Sequence, residues 1–256
     1  MKLLFSFILI SLCLLIWSMF IEPNILIVKH LTIHDEQLKG LKIVFASDFH
    51  IKPHETYRLN KIIRTINEQN PDIVLFGGDY VNGHKKGNSL SIEKIAKKFS
   101  YIVSKYGTYV VIGNHDGWQG KEEIIEVLKK NGINVLFNNN ACFKDFCIAG
   151  VDDLQTGNPD IEKALSGVNK PVILLTHTPD IMPNVPYNVN LTLAGHLHGG
   201  QVRLNKALIV PSIYGDKYAN GFLNDNGKKI YTTKGLGTSI LPIRFNCPPE
   251  IVVIEF

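Results

Sequence analysis

Residues 42–50 read Lys-Ile-Val-Phe-Ala-Ser-Asp-Phe-His: a short apolar run, then a carboxylate and an imidazole two positions apart. A β-branched run closed by a polar cluster reads as a buried strand. The pattern recurs. Asp72 to Phe76 precedes Asp79, Tyr109 to Ile112 precedes Asn114 and His115, Val172 to Leu175 precedes His177, and Asn190 to Leu193 precedes His196 and His198. Open α/β sheets bind ligands just beyond the carboxyl ends of their strands, so these donors are expected in one crevice.

Between the runs, helical periodicity appears in Tyr57 to Glu68, with Leu59, Ile62, Ile63 and Ile66 on one stripe. Further helices are expected over Ser91 to Ser104 and over Lys121 to Lys130, the latter closed by Asn131 and Gly132. Ile25 to Ile33 reads as an edge strand. Strand and helix alternate up to Gly132, which implies a sheet that is parallel at least in part. From Ile133 short strands with tight turns follow: Asn134 to Phe137, Cys142 to Phe143, Phe146 to Val151, Gln201 to Leu204, Ala207 to Val210, Lys229 to Thr233 and Ile251 to Phe256. One helix, near Asp160 to Leu165, interrupts them. The expected class is α/β, with two packed sheets and helices outside, and 256 residues suit one such domain.

From Leu3 to Ile21 no residue is charged, and at about 1.5 Å rise per residue a helix of that length covers roughly 28 Å. Residues 1–22 therefore read as a membrane anchor and 23–256 as the remaining domain. A cleaved signal peptide competes with this reading, but no A-x-A-like site precedes Glu22. Lys2 lies before the span and Lys29, Lys39 and Lys42 after it, which leaves the side of the membrane open. The net charge of +4 is mild and the lysines are scattered, so nucleic acid is not an expected partner. A monomer is expected. Of the four cysteines, Cys142 and Cys147 flank a hairpin through Lys144 and Asp145 and would face each other across a two-residue loop. Buried thiols are the expected state for them.

Asp48 and His50 are two apart, as are His196 and His198, and extended residues at that spacing point the same way. With Asp79, Asn114 and His177 they form a nitrogen and oxygen set without thiolate, which suits Mn, Fe or Zn. Asp79 could bridge two cations through its two oxygens. Two divalent ions would exceed the charge of Asp48 and Asp79, and the surplus attracts phosphate and lowers the pKa of a bound water. Five of the nine histidines fall in this ordered pattern. His30, His34, His54 and His84 have no such company and are read as ordinary.

In order, Asp48-Phe49-His50, Gly78-Asp79, Gly113-Asn114-His115-Asp116, His177 and Gly195-His196-Leu197-His198 resemble the motifs of the calcineurin-like metallophosphoesterases. The tail from Lys234 to Pro249 is similar to that of a bacterial membrane-associated phosphodiesterase subgroup. The resemblance runs from about Leu41 to the chain end. It implies a four-layer α/β/β/α sandwich of two mixed sheets and a two-metal hydrolase. It further implies Asp48, His50, Asp79 and His198 on one metal and Asp79, Asn114, His177 and His196 on the other. His115 would then be catalytic, stabilising phosphoryl oxygens or protonating the leaving oxygen.

The chain departs from the serine/threonine phosphatase branch, whose Gly-Asp-x-Val-Asp-Arg-Gly is Gly78-Asp79-Tyr80-Val81-Asn82-Gly83 here. Asn82 stands where that branch has the Asp that orients the catalytic His, and the arginine clamp is missing. A bidentate grip on a phosphate dianion is hard to build without it. A diester or pyrophosphate substrate, and with the anchor a lipid-linked one, is the expectation. The resemblance includes enzymes that cleave UDP-2,3-diacylglucosamine, and the rival outside the enzyme class is a non-catalytic scaffold. Arg244 is read as a substrate contact or a surface ion pair, and Asp152 with Asp153 as a turn or as part of the site rim.

Overall fold

The computed structural model describes residues 1–256 apart from residue 208. An apolar helix, α1 (Lys2–Ile16), continues through a wider π-helical turn (Trp17–Ile21) to Asn24, and its side chains are almost all exposed. The first sheet contains β1 (Ile27–Thr32), β2 (Lys42–Ala46), β3 (Ile73–Phe76), β4 (Thr108–Val110), β5 (Asn134–Val135) and the last strand, β12 (Glu250–Glu255), in the order β1-β12-β2-β3-β4-β5. The second contains β6 (Asn139–Cys142), β7 (Cys147–Gly150), β8 (Val172–Leu175), β9 (Leu191–Ala194), β10 (Gly221–Asp225) and β11 (Lys228–Thr232), in the order β10-β11-β9-β8-β7-β6. Each sheet is mixed: β12 runs antiparallel to β2, β7 to β6 and β11 to β10, while the other pairings are parallel.

Side-chain alternation explains the layering. Ile43 and Phe45 point into a core shared with Ile173, Leu175, Leu191 and Leu193 of the other sheet. Val44 and Ala46 point the opposite way, against α2 (Thr56–Glu68), α3 (Ile92–Phe99) and α4 (Asn114–Lys130). On the far side of the second sheet, Ala149, Val172 and Leu174 pack with Ala164 of α5 (Ile161–Ala164) and with Ile181 and Met182 of a 3₁₀ turn. The result is the expected α/β/β/α order, with a thin outer layer on the second sheet. A strand covered on both faces must be apolar at every position, which is why these runs do not alternate in polarity.

Several boundaries differ from the sequence reading. The helix expected to reach Ser104 stops at Phe99, where Ser100 Oγ bonds back to the Lys97 carbonyl at 2.9 Å. α4 begins at Asn114, and its break at Gly120 (φ 120°) separates a site-bearing first turn from the stretch expected at Lys121 to Lys130. Gln201 to Leu204 is not a strand: Val202 and Arg203 make only isolated bridges, to Phe245 and Ala207. The expected strand Ala207 to Val210 includes residue 208, outside the described residues. β10 is an additional edge strand. Cys142 and Cys147 are cross-strand partners joined by a disulfide, which corrects the expectation of free thiols. Phe143 N–H donates to the Phe146 carbonyl at 2.8 Å, so the loop is the two-residue Lys144-Asp145 that brings the sulfurs opposite each other.

Candidate metal centre

The parallel strands β2, β3, β8 and β9, together with β4, end at one crevice, and the loops leaving them are held in costly backbone conformations. Asp48 (φ 55°), His50 (φ 42°), Asp79 (φ 57°), His196 (φ 70°) and His198 (φ 51°) all lie in the left-handed region. Non-glycine residues rarely occupy it, and such strain collects at functional sites. Close approach of the loops also needs glycine. A Cβ on Gly78, itself at φ 96°, would sit 2.5 Å from the Gly113 nitrogen, and one on Gly195 would collide with Ser47 Oγ.

All seven proposed donors are buried and meet here. His50 Nε2 lies 3.1 Å from His198 Nε2 and 3.4 Å from Asp79 Oδ2, and His198 Nε2 lies 3.5 Å from Asp48 Oδ1. On the other side, His177 Nε2 is 3.4 Å from Asp79 Oδ2, 2.9 Å from Asn114 Oδ1 and 3.2 Å from His196 Nδ1, with Asn114 Oδ1 3.0 Å from His196 Nδ1. Donors held at about 2.0–2.2 Å around one ion stand about 2.8–3.6 Å from one another, so these spacings fit a coordination shell. Asp79 Oδ2 belongs to both groups. Its Oδ1 also accepts the His115 backbone N–H at 2.8 Å.

Protonation points the same way. Burial lowers the pKa of His50 to about 3 and that of His196 to about 4, and also depresses His198, so these rings present lone pairs at neutral pH. Burial raises Asp48 to about 7, with His177 pulling it back and Asp79 pushing it further up. Burial opposes charge on His177 too, but Asp79 beside it prevails and raises its pKa. His177 Nδ1 lies 2.7 Å from the Gly77 carbonyl, which can only accept, so Nδ1 carries a proton and Nε2 turns toward Asn114 Oδ1 and Asp79 Oδ2. A ring of acceptors facing one another is favourable only around a positive centre, either a proton on His177 or a metal ion. The donor set therefore fits divalent cations.

His115 is set by its backbone and by its ring. Nδ1 donates to the Gly83 carbonyl at 3.0 Å, leaving Nε2 facing Ser239 Oγ at 3.4 Å. A ring nitrogen of His115 falls within 4.8 Å of donor atoms of His50 and Asp79. The Gly83 carbonyl thus fixes the His115 ring from the Nδ1 side. Asn82 takes no part, since its amide donates to the Asn88 carbonyl.

Asp116 and Gln155 had no assigned role in the sequence reading. Asp116 accepts from the backbone N–H groups of Gly113, Asp79, Tyr80 and Val81 at 2.8–3.3 Å and so clamps the two donor loops together. Gln155 places its amide 3.0 Å from His196 Nε2. Asp152 and Asp153 form the turn that presents it: Asp153 accepts from the Gln155 and Thr156 N–H groups, and Asp152 pairs with Lys121 at 3.1 Å. His84 stacks on Trp118 with centroids 4.3 Å apart, and both rings flank His115. Arg244 is neither a substrate contact nor a surface ion pair. It is fully buried and donates to the carbonyls of Lys234, Gly235, Gly237 and Cys247.

Two sheets whose strand ends gather nitrogen and oxygen donors around a shared carboxylate define a metal-dependent phosphoester hydrolase. The chain belongs to the calcineurin-like phosphoesterase family, whose profile matches residues 41–200. It is 34% identical over 242 residues to the phosphodiesterase YaeI of Escherichia coli (strain K12), covering 90% of this chain and 87% of that protein. To the metallophosphoesterase YkuE of Bacillus subtilis (strain 168) it is 33% identical over 253 residues, covering 93% and 87%. A transmembrane protein with metallophosphoesterase domain from Danio rerio is 30% identical over 240 residues, covering 86% of this chain and 54% of that protein.

Proposed function

We propose that the chain is a membrane-anchored hydrolase of phosphodiester or pyrophosphate bonds, holding two divalent ions through Asp48, His50, Asp79, Asn114, His177, His196 and His198. The observation that carries this reading is the pair of donor groups meeting at Asp79 Oδ2, with a ring nitrogen of His115 beside them. When bound, the two ions supply Lewis acidity toward water and toward the phosphoryl oxygens. His115, held through Nδ1–H by the Gly83 carbonyl, would act as the imidazolium, donating a hydrogen bond or its second proton from Nε2 to the phosphoryl group or the leaving oxygen.

Preference for a diester or pyrophosphate follows from the arginines. Among the described residues no guanidinium is left to clamp a phosphate dianion. Arg58 donates to the Phe49 and Leu236 carbonyls, Arg203 to the Gly199 carbonyl and Asp216, and Arg244 to four carbonyls, while Arg64 pairs with Glu68. Anchoring is supported by the exposed apolar helix from Lys2 to Asn24 and by the transmembrane relative from Danio rerio. The end of that helix packs on the domain, where Ser18 and Glu22 are buried. A lipid-linked substrate, UDP-2,3-diacylglucosamine among them, fits such a position.

The test is hydrolysis by manganese-loaded, detergent-solubilised full chain of a panel of aryl diesters, aryl monoesters and lipid nucleotides, with metal content measured on the same sample. Turnover of diesters or pyrophosphates above monoesters is expected. A folded chain that takes up metal and turns over none of them would reject the reading.

A further inference from the structure

Four large apolar side chains stand out on the two loops that close over the donor cluster: Ile240 is 99% exposed, Ile209 82%, Leu204 65% and Leu241 58%. These loops form one unit. Gln201 donates to the Ser239 and Leu241 carbonyls and accepts from the Ser239 N–H, while Arg203 N–H donates to Phe245 and Phe245 N–H to Gln201. Ile240 sits at φ 62°, an unfavourable conformation for a β-branched residue, held with its side chain in the open. The residue before it, Ser239, touches His115 Nε2. The rim is therefore the lip of the reaction site.

The end of the apolar helix is fastened to the same loop. Arg244 N–H donates to the Ser18 carbonyl at 2.9 Å, and Cys247 N–H donates to the Glu22 carboxylate. Ile240 is four residues from Arg244, so even a fully extended chain keeps its Cα within about 14 Å of that of Arg244, the residue bonded to the helix at Ser18. Exposed large apolar side chains gathered on two hydrogen-bonded loops mark an interaction surface, and these loops are fastened to the foot of the apolar helix.

We propose that Leu204, Ile209, Ile240 and Leu241 lie against the lipid headgroup and upper acyl region, turning the mouth of the site toward the bilayer surface. The proposal rests on the reading of the apolar helix as an anchor. It makes the phosphodiester or pyrophosphate of a lipid headgroup, reached laterally from the membrane, the substrate class of this site.

The test uses the full chain reconstituted in phosphatidylcholine and phosphatidylglycerol vesicles, with and without lipids brominated near the headgroup end of the acyl chains. Tryptophan emission is compared among the parent, Trp17→Phe, Ile240→Trp, Leu241→Trp and Tyr187→Trp chains. Tyr187 is exposed and precedes β9, at the sheet end away from the site. The indole added by Ile240→Trp or Leu241→Trp should lose about half its emission to the brominated lipid, and the one added by Tyr187→Trp should keep it. Quenching of Trp17 without quenching at either rim position would overturn the proposal and leave the anchor standing. A blue-shifted rim indole insensitive to bromine would assign the rim to a second copy and overturn it as well. Loss of quenching at Trp17 too would remove the anchor reading, and the proposal with it.

Discussion

The His115 backbone N–H donates to Asp79 Oδ1 at 2.8 Å, so the loop that carries the proposed acid also dictates which oxygen Asp79 turns to the metals. Oδ2 is left 3.4 Å from both His50 Nε2 and His177 Nε2. Asp79→Asn removes the shared negative charge while retaining an oxygen for the His115 N–H. We expect the folded variant to lose at least one equivalent of metal and to fall about 100-fold or more in turnover. Metal analysis beside activity checks this; a variant with both ions and full rate would refute the shared role.

His115 separates chemistry from metal binding. Its ring is oriented through Nδ1 by Gly83 and lies only at the edge of the His50 and Asp79 group. His115→Ala should keep two ions and lower kcat about 100- to 10,000-fold, with KM little changed. The effect should be largest for substrates with poor leaving groups, because an activated aryl oxide leaves with little help from an acid. An equal loss for all leaving groups would assign His115 to phosphoryl stabilisation alone.

Gln155 acts through His196. Its amide nitrogen stands 3.0 Å from His196 Nε2; turning the amide over would put the carbonyl oxygen there, fix the ring proton on Nε2 and free Nδ1 for metal. Gln155→Ala should weaken metal affinity about 10-fold, and Gln155→Glu, which keeps the acceptor, should restore most of it. Titration of metal-free protein by calorimetry checks both variants. Unchanged affinity in Gln155→Ala would leave the amide a structural contact only.

Much of this site was legible because its donors sit at the ends of strands buried on both faces. Such strands have to be apolar throughout, as Lys42 to Ala46 and Val172 to Leu175 nearly are, and the polar residue that follows is conspicuous. The i, i+2 spacings of Asp48 with His50 and His196 with His198 did not rest on extended geometry after all, since all four residues have positive φ. They converge because tight loops hold them. β10 escaped notice because an edge strand half in solvent, Gly221 to Asp225, has no apolar run. Gln155 and Asp116 act through hydrogen bonds over long sequence separations, for which no local pattern exists. Arg244 was misread because buried guanidinium groups are rare, and only the fold shows four carbonyls gathered around it.

The Cys142–Cys147 pair leaves two free cysteines, Cys13 on the apolar helix and the buried Cys247. Burial raises the Cys247 thiol pKa, and its Sγ donates to the His198 carbonyl at 3.3 Å, so little thiolate forms near pH 8. Denatured protein kept from reductant should take up iodoacetamide at two sites and reduced denatured protein at four, counted by mass. Folded protein in detergent should leave Cys247 unlabelled.

The foot of the apolar helix is predicted to be part of the folded domain as well as a tether. Glu22 is buried, accepting from Trp17 Nε1 at 2.8 Å and from the Cys247 N–H, and the Ser18 carbonyl accepts from Arg244. Deleting residues 1–16 removes only exposed side chains, most of them apolar, and should leave the thermal midpoint in detergent nearly unchanged. Deleting residues 1–24 strips the partners from two backbone N–H groups beside the His198 loop, at about 1–3 kcal/mol each where water cannot replace them. A midpoint several degrees lower and weaker metal retention are expected for the longer deletion alone. Equal midpoints for the two would mean that the helix foot contributes nothing to the domain.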